Sequence, residues 1–335
     1  MRPTGKLHLG NYMGALANWV KLQDDYECYF FIADLHALTT DYADTSQITP
    51  NALEVALDFL GAGLDPSRST IFVQSHVTQH FELPLLLGMI TPLGWLERVP
   101  SYKEMQENLA HKDLTMYGFL GYPVLMASDI LLYQPKYVPV GQDQQAHVEL
   151  TREIARRFNN FYPRPKAQNV GDILRAVHPL CVLPEPDVLL TPSPKLPGTD
   201  GRKMSKSYGN TILMSDPEPE VRKKLKTMVT DPARIRRTDP GDPDKCPVGD
   251  LHKVFSTPET IAKVYEGCRS AGIGCIECKS WAADALVQVL EPIQDRRASY
   301  SESQAKEILA EGSRRAGVRA EQTMVEVRDA MRMLR

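Results

Sequence analysis

The sequence contains no apolar run of the roughly 18 residues that a membrane-spanning helix needs. Its opening, MRPTGKLHLGN, lacks the apolar core of a secretory signal, so the expected location is the cytoplasm, with no membrane partner. Charge of one sign is also lacking. Lys and Arg number 39 against 42 Asp and Glu, a net charge of −3. That balance excludes coating of nucleic acid by bulk charge and leaves only local basic patches. Cysteine is scarce, six in 335 residues, which excludes a disulfide scaffold. Internal repeats and low-complexity tails are absent. What remains is 42% hydrophobic and 24% charged, the composition of a globular chain long enough for two domains of ordinary size.

Short apolar strands alternate with helical patterns in the first half. Met13, Leu16, Trp19, Val20 and Leu22 predict a helix over residues 11–26. Residues 28–33 read as a buried strand, broken after Ala33, and residues 70–74 as a second strand. Thr49-Pro50 starts a helix expected to reach about Leu64. Further helices are expected over 122–133 and 142–158. This alternation predicts an α/β chain, a parallel sheet with crossover helices. A Pro-rich connection over 163–200, ordered at first and mobile towards its end, leads into LPGTDGRKMSKSYGN. Asp216-Pro217 begins a helical remainder, with clear periodicity over 281–293 and 303–310.

Two separated segments carry phosphate-handling chemistry. Pro3-Thr-Gly-Lys-Leu-His8-Leu-Gly10-Asn11 precedes a helix. Its glycines allow close backbone approach, the helix start favours an anion, and His8 and Asn11 can donate to phosphate oxygens. An ordinary glycine turn with a capping Asn is the alternative. Lys203-Met-Ser-Lys206-Ser207 places two lysines on a glycine-flanked loop that can reach a polyphosphate. A solvated surface loop is the alternative there.

His8-Leu-Gly10-Asn11 resembles the HIGH signature, with Asn in place of the final His, and Lys203–Ser207 is a complete KMSKS signature. Both belong to class I aminoacyl-tRNA synthetases. Four further segments resemble the tryptophanyl-tRNA synthetases: PTGKLHLGNYMGA (3–15), ADLHALT (33–39), YPVLMASDILLY (122–133) and VPVGQDQQAHVELTREIARRFN (138–159). The resemblance spans nearly the whole chain. It implies a Rossmann-like parallel-sheet nucleotide-binding domain over 1–212, with a helical insertion at about 95–165. An all-α anticodon-binding domain over 213–335 and a homodimer are implied too. The implied activity is ATP-dependent conversion of L-tryptophan to tryptophanyl-adenylate and its transfer to tRNA(Trp), with Mg²⁺ accompanying ATP.

The same resemblance assigns residues. His8, Asn11, Lys103, Lys203 and Lys206 are the implied catalytic groups. Arg2, Pro3, Thr4, Gly10, Asn11, Gly141, Gln142, Asp143, Lys203, Met204, Ser205, Lys206 and Ser207 are the implied ATP contacts. His36, Tyr122, Met126, Asp129, Val138, Val140 and Gln144 would line the tryptophan pocket. Residue chemistry agrees less sharply. Met126 and Asp129 share a helix face, a thioether suits an aromatic ring, and a carboxylate accepts an indole N–H. Met126 in the core and Asp129 as a cap is the alternative; without the resemblance His36 reads as a core histidine and Lys103 as a surface lysine. An Asp also accepts from a phenol, so tyrosine stays open on residue type alone. The resemblance further implies a strand with a Ser-Gly turn ahead of Arg2, and the true start is expected upstream.

Cys246, Cys268, Cys275 and Cys278 follow the pattern C-x21-C-x6-C-x2-C and could enclose one metal centre. Some tryptophanyl-tRNA synthetases carry a [4Fe–4S] cluster on a similar spacing, with one residue more in the longest gap; zinc is the alternative. Cys28 and Cys181 read as packing residues. Seven Lys and Arg against one acid between Arg222 and Arg237 form a candidate tRNA surface, or a solvated face. Two other functions compete: a related adenylate-forming enzyme, including a tyrosine-specific one, and a non-catalytic paralogue. Intact His8, Gly10, Lys203 and Lys206 argue against the paralogue.

Overall fold

The computed structural model describes residues 1–99, 115–164, 181–190 and 195–334, the Asp143 side chain apart. Among these, β1 (Cys28–Ile32) pairs in parallel with β2 (Ser69–Val73), with Cys28 opposite Ser69 and Ile32 opposite Val73. β3 (Tyr137–Val140) pairs in parallel with β4 (Asp187–Leu190). β2 is buried along its whole length, as a strand covered on both faces must be. The helix Ile48–Ala62 makes the crossover between β1 and β2. It stops at Gly63, whose φ of +108° suits a residue without Cβ.

The C-terminal helices do not stand apart from the strands. Cys275–Ala298 packs along Ile48–Ala62, and Glu302–Ala330 packs across β2. One apolar core joins Leu7, Phe30, Phe59 and Ile71 with Leu251, Leu286 and Leu309. A second joins Phe72, Leu83, Leu131 and Phe158 with Ala316, Met324 and Val327. Met1 lies beside β1, its amino group donating to Phe31 O at 2.7 Å and its carbonyl accepting from Ala33 N–H at 2.8 Å. No helix among the described residues is long and apolar enough to cross a membrane.

Several element bounds differ from the periodicity. The first helical run begins at Leu9, ahead of Asn11, because the Leu9 N–H is taken by Ile212 O. It contains a π turn over Tyr12–Leu16, a feature frequent near functional sites. Residues 142–144 form a separate tight turn before the helix Gln145–Phe161. The pattern at 303–310 extends to Glu302–Ala330, since its buried face continues through Ala316 and Ala320, small residues that carry little hydropathy signal.

Candidate active site

The N-terminal segment runs as a strap between two chemically distinct regions. Arg2 donates to Thr40 Oγ1 and lies 3.9 Å from Asp41. Pro3 and Thr4 line one side of a cavity of about 670 Å³; residues 40–44, Gln47, Ile48 and Asn51 line the other. Gly5 turns the chain with a φ of +105°, a conformation that favours glycine. Leu7 N–H donates to the buried Asp58 Oδ2 at 2.7 Å, and Arg297 Nε donates to Asp58 Oδ1 at 2.9 Å. A helix from the end of the chain thereby holds the loop at its beginning.

His8 and Leu213 form an antiparallel bridge, flanked by Leu9 N–H to Ile212 O at 3.0 Å and Met214 N–H to Leu7 O at 2.9 Å. The HIGH-like segment and the chain just after KMSKS are therefore hydrogen-bonded neighbours. Lys206 Nζ donates to Gly5 O at 2.7 Å and reaches Thr4 Oγ1 at 3.5 Å. Burial pushes this ammonium down to about 8. His8 is buried and falls to about 4, first from burial and then from the positive Lys206 and Lys203. Its ring is therefore neutral at pH 7, offering one N–H donor rather than two. A Cβ on Gly10 would come within 2.9 Å of the His8 ring, so glycine is required there for His8 to sit as it does. Asn11 Oδ1 accepts from the His8 N–H at 3.1 Å. Met204 is buried over Gly10, while Lys203 and Ser207 are exposed and Ser205 is half-buried.

Sequence reasoning missed what holds the KMSKS loop. Asn210, 2% exposed, accepts from Ser205 N–H at 2.8 Å and donates to Asp200 at 2.7 Å and Lys203 O at 3.2 Å. A residue flanking a motif carries no period that would mark it.

The aromatic end of the strap is built on the helix Tyr117–Leu131. Asp129 is buried there and contacts His36 Nε2 at 2.8 Å. Gln74 and His80, neither singled out in the sequence, also bond to it. Burial would raise the Asp129 carboxyl, but the hydrogen bonds and charges of His36 and His80 outweigh it and hold the group at about 2. Tyr122 is buried with its ring 5.6 Å from His147, and Met126 is half-buried. Val138 and Val140 lie half-buried on β3, Gly141 and Gln144 just beyond it are half-buried, and Gln142 is exposed. Lys103 falls outside the described residues, as does the Asp143 side chain.

At the four-cysteine motif, Cys246 and Cys268 are buried and Cys275 and Cys278 half-buried. Burial, then the charges of Cys246, Cys268 and Cys275, push the Cys278 thiol up to about 12, so all four sulfurs lie within electrostatic reach. Among the described residues no three His, Cys, Asp or Glu side chains converge as ligands of a metal ion. The basic run is largely paired. Arg222 binds Glu218 and Asp284, Lys223 binds Glu220, Lys224 binds Asp216, and Arg234 is buried against Ile273 O and Cys268 Sγ. Lys226, Arg236 and Arg237 are exposed.

The family model described as "tRNA synthetases class I (W and Y)" matches residues 1–291. Among curated relatives, a Thermotoga maritima protein named tryptophan–tRNA ligase is 48% identical over 338 residues, covering all of this chain and 98% of the relative. A Ralstonia nicotianae protein of the same name is 47% identical over 386 residues, covering 99% of this chain and 96% of the relative. Among solved structures, tryptophanyl-tRNA synthetase from Campylobacter jejuni, complexed with ADP and tryptophan, superposes with a TM-score of 0.84 at 31% identity. That match covers 99% of this chain and 98% of the other.

Proposed function

Since this chain belongs to the class I tRNA synthetases for tryptophan and tyrosine, we propose that it is a tryptophan–tRNA ligase. It activates tryptophan with ATP and transfers the aminoacyl group to tRNA(Trp). The observation that carries this reading is the Lys206 ammonium lying on the Gly5 carbonyl, in the loop whose next turn is bridged to Leu213.

In the first step a tryptophan carboxylate oxygen forms a bond to the α-phosphorus of ATP, and the bond to the bridging oxygen of pyrophosphate breaks. Charge moves onto the leaving oxygens, so positioning and electrostatics lower the barrier. Lys206 and Lys203 take up that charge, and Mg²⁺ accompanying the nucleotide would add screening there. Neutral His8 donates its single N–H, and Asn11 and the backbone at Gly10 complete the cradle. Arg2, Pro3, Thr4 and residues 141–143 contact the nucleotide, with Lys103 assigned to the leaving phosphates. His36, Tyr122, Met126, Asp129, Val138, Val140 and Gln144 hold tryptophan. In the second step a 3′-terminal ribose hydroxyl of tRNA attacks the adenylate carbonyl and AMP leaves.

Three finer parts belong to the same proposal. A [4Fe–4S] cluster on Cys246, Cys268, Cys275 and Cys278 is supported by their C-x21-C-x6-C-x2-C spacing and by Gly241, where a Cβ would come within 2.8 Å of Cys268 Sγ. The cationic Arg234 beside Cys268 suits anionic thiolates. When bound, such a cluster supplies a rigid cross-link between the helices. Zinc on the same thiols is the alternative, and visible absorbance of anaerobically purified protein separates the two. A homodimer is supported by the exposed Phe81, Leu85, Met89, Leu93 and Tyr117, and sedimentation velocity tests it. Residues 213–335, with Lys226, Arg236 and Arg237, form the anticodon-binding part; a cytoplasmic location goes with this reading.

Amino-acid-dependent ATP–pyrophosphate exchange tests the activity. Exchange stimulated by tryptophan is expected; stimulation by tyrosine alone, or by no amino acid, overturns the reading.

A further inference from the structure

The pocket assigned to tryptophan ends at a hydrogen-bond network deeper than the family signature residues. Asp129 Oδ1 accepts from Gln74 Nε2 at 2.7 Å and contacts His80 Nδ1 at 2.7 Å. Oδ2 contacts His36 Nε2 at 2.8 Å. His80 Nε2 in turn lies 2.8 Å from the Tyr133 hydroxyl. Gln74 and His80 are wholly buried, and Asp129 is 3% exposed.

Proton positions in this network follow from what each atom can do. An ionised carboxylate only accepts, so Gln74, His80 and His36 must each present an N–H to it. With its Nδ1 N–H on Asp129, His80 meets the Tyr133 hydroxyl through Nε2. Burial, then the charge of Asp129, push the Tyr133 phenol far above its ordinary range, so that hydroxyl keeps its proton. Three donors occupy three of the about four acceptor positions of a carboxylate.

We propose that the Tyr133–His80–Asp129 chain, together with Gln74, orders the protons at the end of the pocket so that Asp129 offers one acceptor and no donor. This end of the pocket therefore selects a ring that donates without accepting. The inference rests on the tryptophan reading above. An indole N–H is a donor only. A phenol could donate to Asp129, but its own lone pairs would still need a donor, which an ionised carboxylate does not supply, and leaving them unmet is costly. Gln74, His80 and Tyr133 act through Asp129 and are positioning residues.

The test uses pyrophosphate exchange with two substrates, tryptophan and its benzothiophene analogue, which has sulfur in place of the indole N–H. His80→Leu is expected to lower kcat/KM for tryptophan roughly 30- to 100-fold while changing the analogue by less than about threefold. His80→Asn, whose amide can donate to the same carboxylate oxygen, should restore most of the tryptophan activity. If His80→Leu does not fold, Gln74→Met is read in the same way. Equal losses on both substrates, or an unchanged preference for tryptophan, overturn this inference and leave the proposed activity standing. A wild-type protein that does not activate tryptophan overturns both.

Discussion

Lys206 shows how one side chain can report on the state of the site. Its folded value of about 8 lies below the ordinary 10.5 because burial disfavours the ammonium. Between these values the unfolded chain holds a proton that the folded chain lacks, so stability from this group rises with pH over that window. Polyphosphate needs the charged form, so nucleotide binding takes up a proton there. KM for ATP should climb as pH rises through about 8, and Lys206→Arg, which stays charged, should flatten that climb. A KM as steep in Lys206→Arg as in wild type would assign the climb to another group. His8 titrates on the acid side. Its folded value of about 4 is below the ordinary 6.5, so the folded state is progressively disfavoured as pH falls from 6.5 to 4. Acid unfolding curves of His8→Asn should lose that slope. Lys203, Lys206, Gly10 and His8 could be named from their letters. The neutrality of His8 could not, because it depends on burial and on two lysines almost two hundred residues away.

At the scale of elements, the KMSKS loop is positioned by Asn210 more than by its own letters. Asn210→Ala removes hydrogen bonds to Ser205, Lys203 and Asp200 at once. Tryptophan-dependent exchange should fall about tenfold or more, with little change in tryptophan affinity measured by calorimetry. A parallel loss of tryptophan affinity would show that Asn210 serves the whole fold instead. The helix Glu302–Ala330 meets β2 at Gly312, where a Cβ would lie 1.8 Å from Ile71 O. Gly312→Ala should therefore destabilise the protein by about 3 kcal/mol or fail to fold, read from urea unfolding. The strands at 28–33 and 70–74 and the crossover helix were legible from apolar runs and a Pro-marked start. The continuation of Glu302–Ala330 past residue 310 was not, because its buried face goes on through Gly312, Ser313, Ala316 and Ala320, small residues that carry little hydropathy signal.

For the whole molecule, the ends of the chain close on each other. Arg297 holds Asp58, and Asp58 holds the Leu7 N–H next to His8. Arg297→Met leaves a buried carboxylate without its cation, a loss of about 3–5 kcal/mol in urea unfolding. Asp58→Asn in the same chain should recover part of it; no recovery would mean that Arg297 acts through packing. Class of fold and reaction could be read from letters alone, because the two phosphate motifs and the alternation of strand and helix are local patterns with fixed residue chemistry. The convergence of those motifs on one crevice, the three donors gathered on Asp129, and the pairing that consumes most of the 222–237 basic run were decided only in three dimensions. Each depends on which groups burial brings within hydrogen-bond range, a property that no window of neighbouring residues contains.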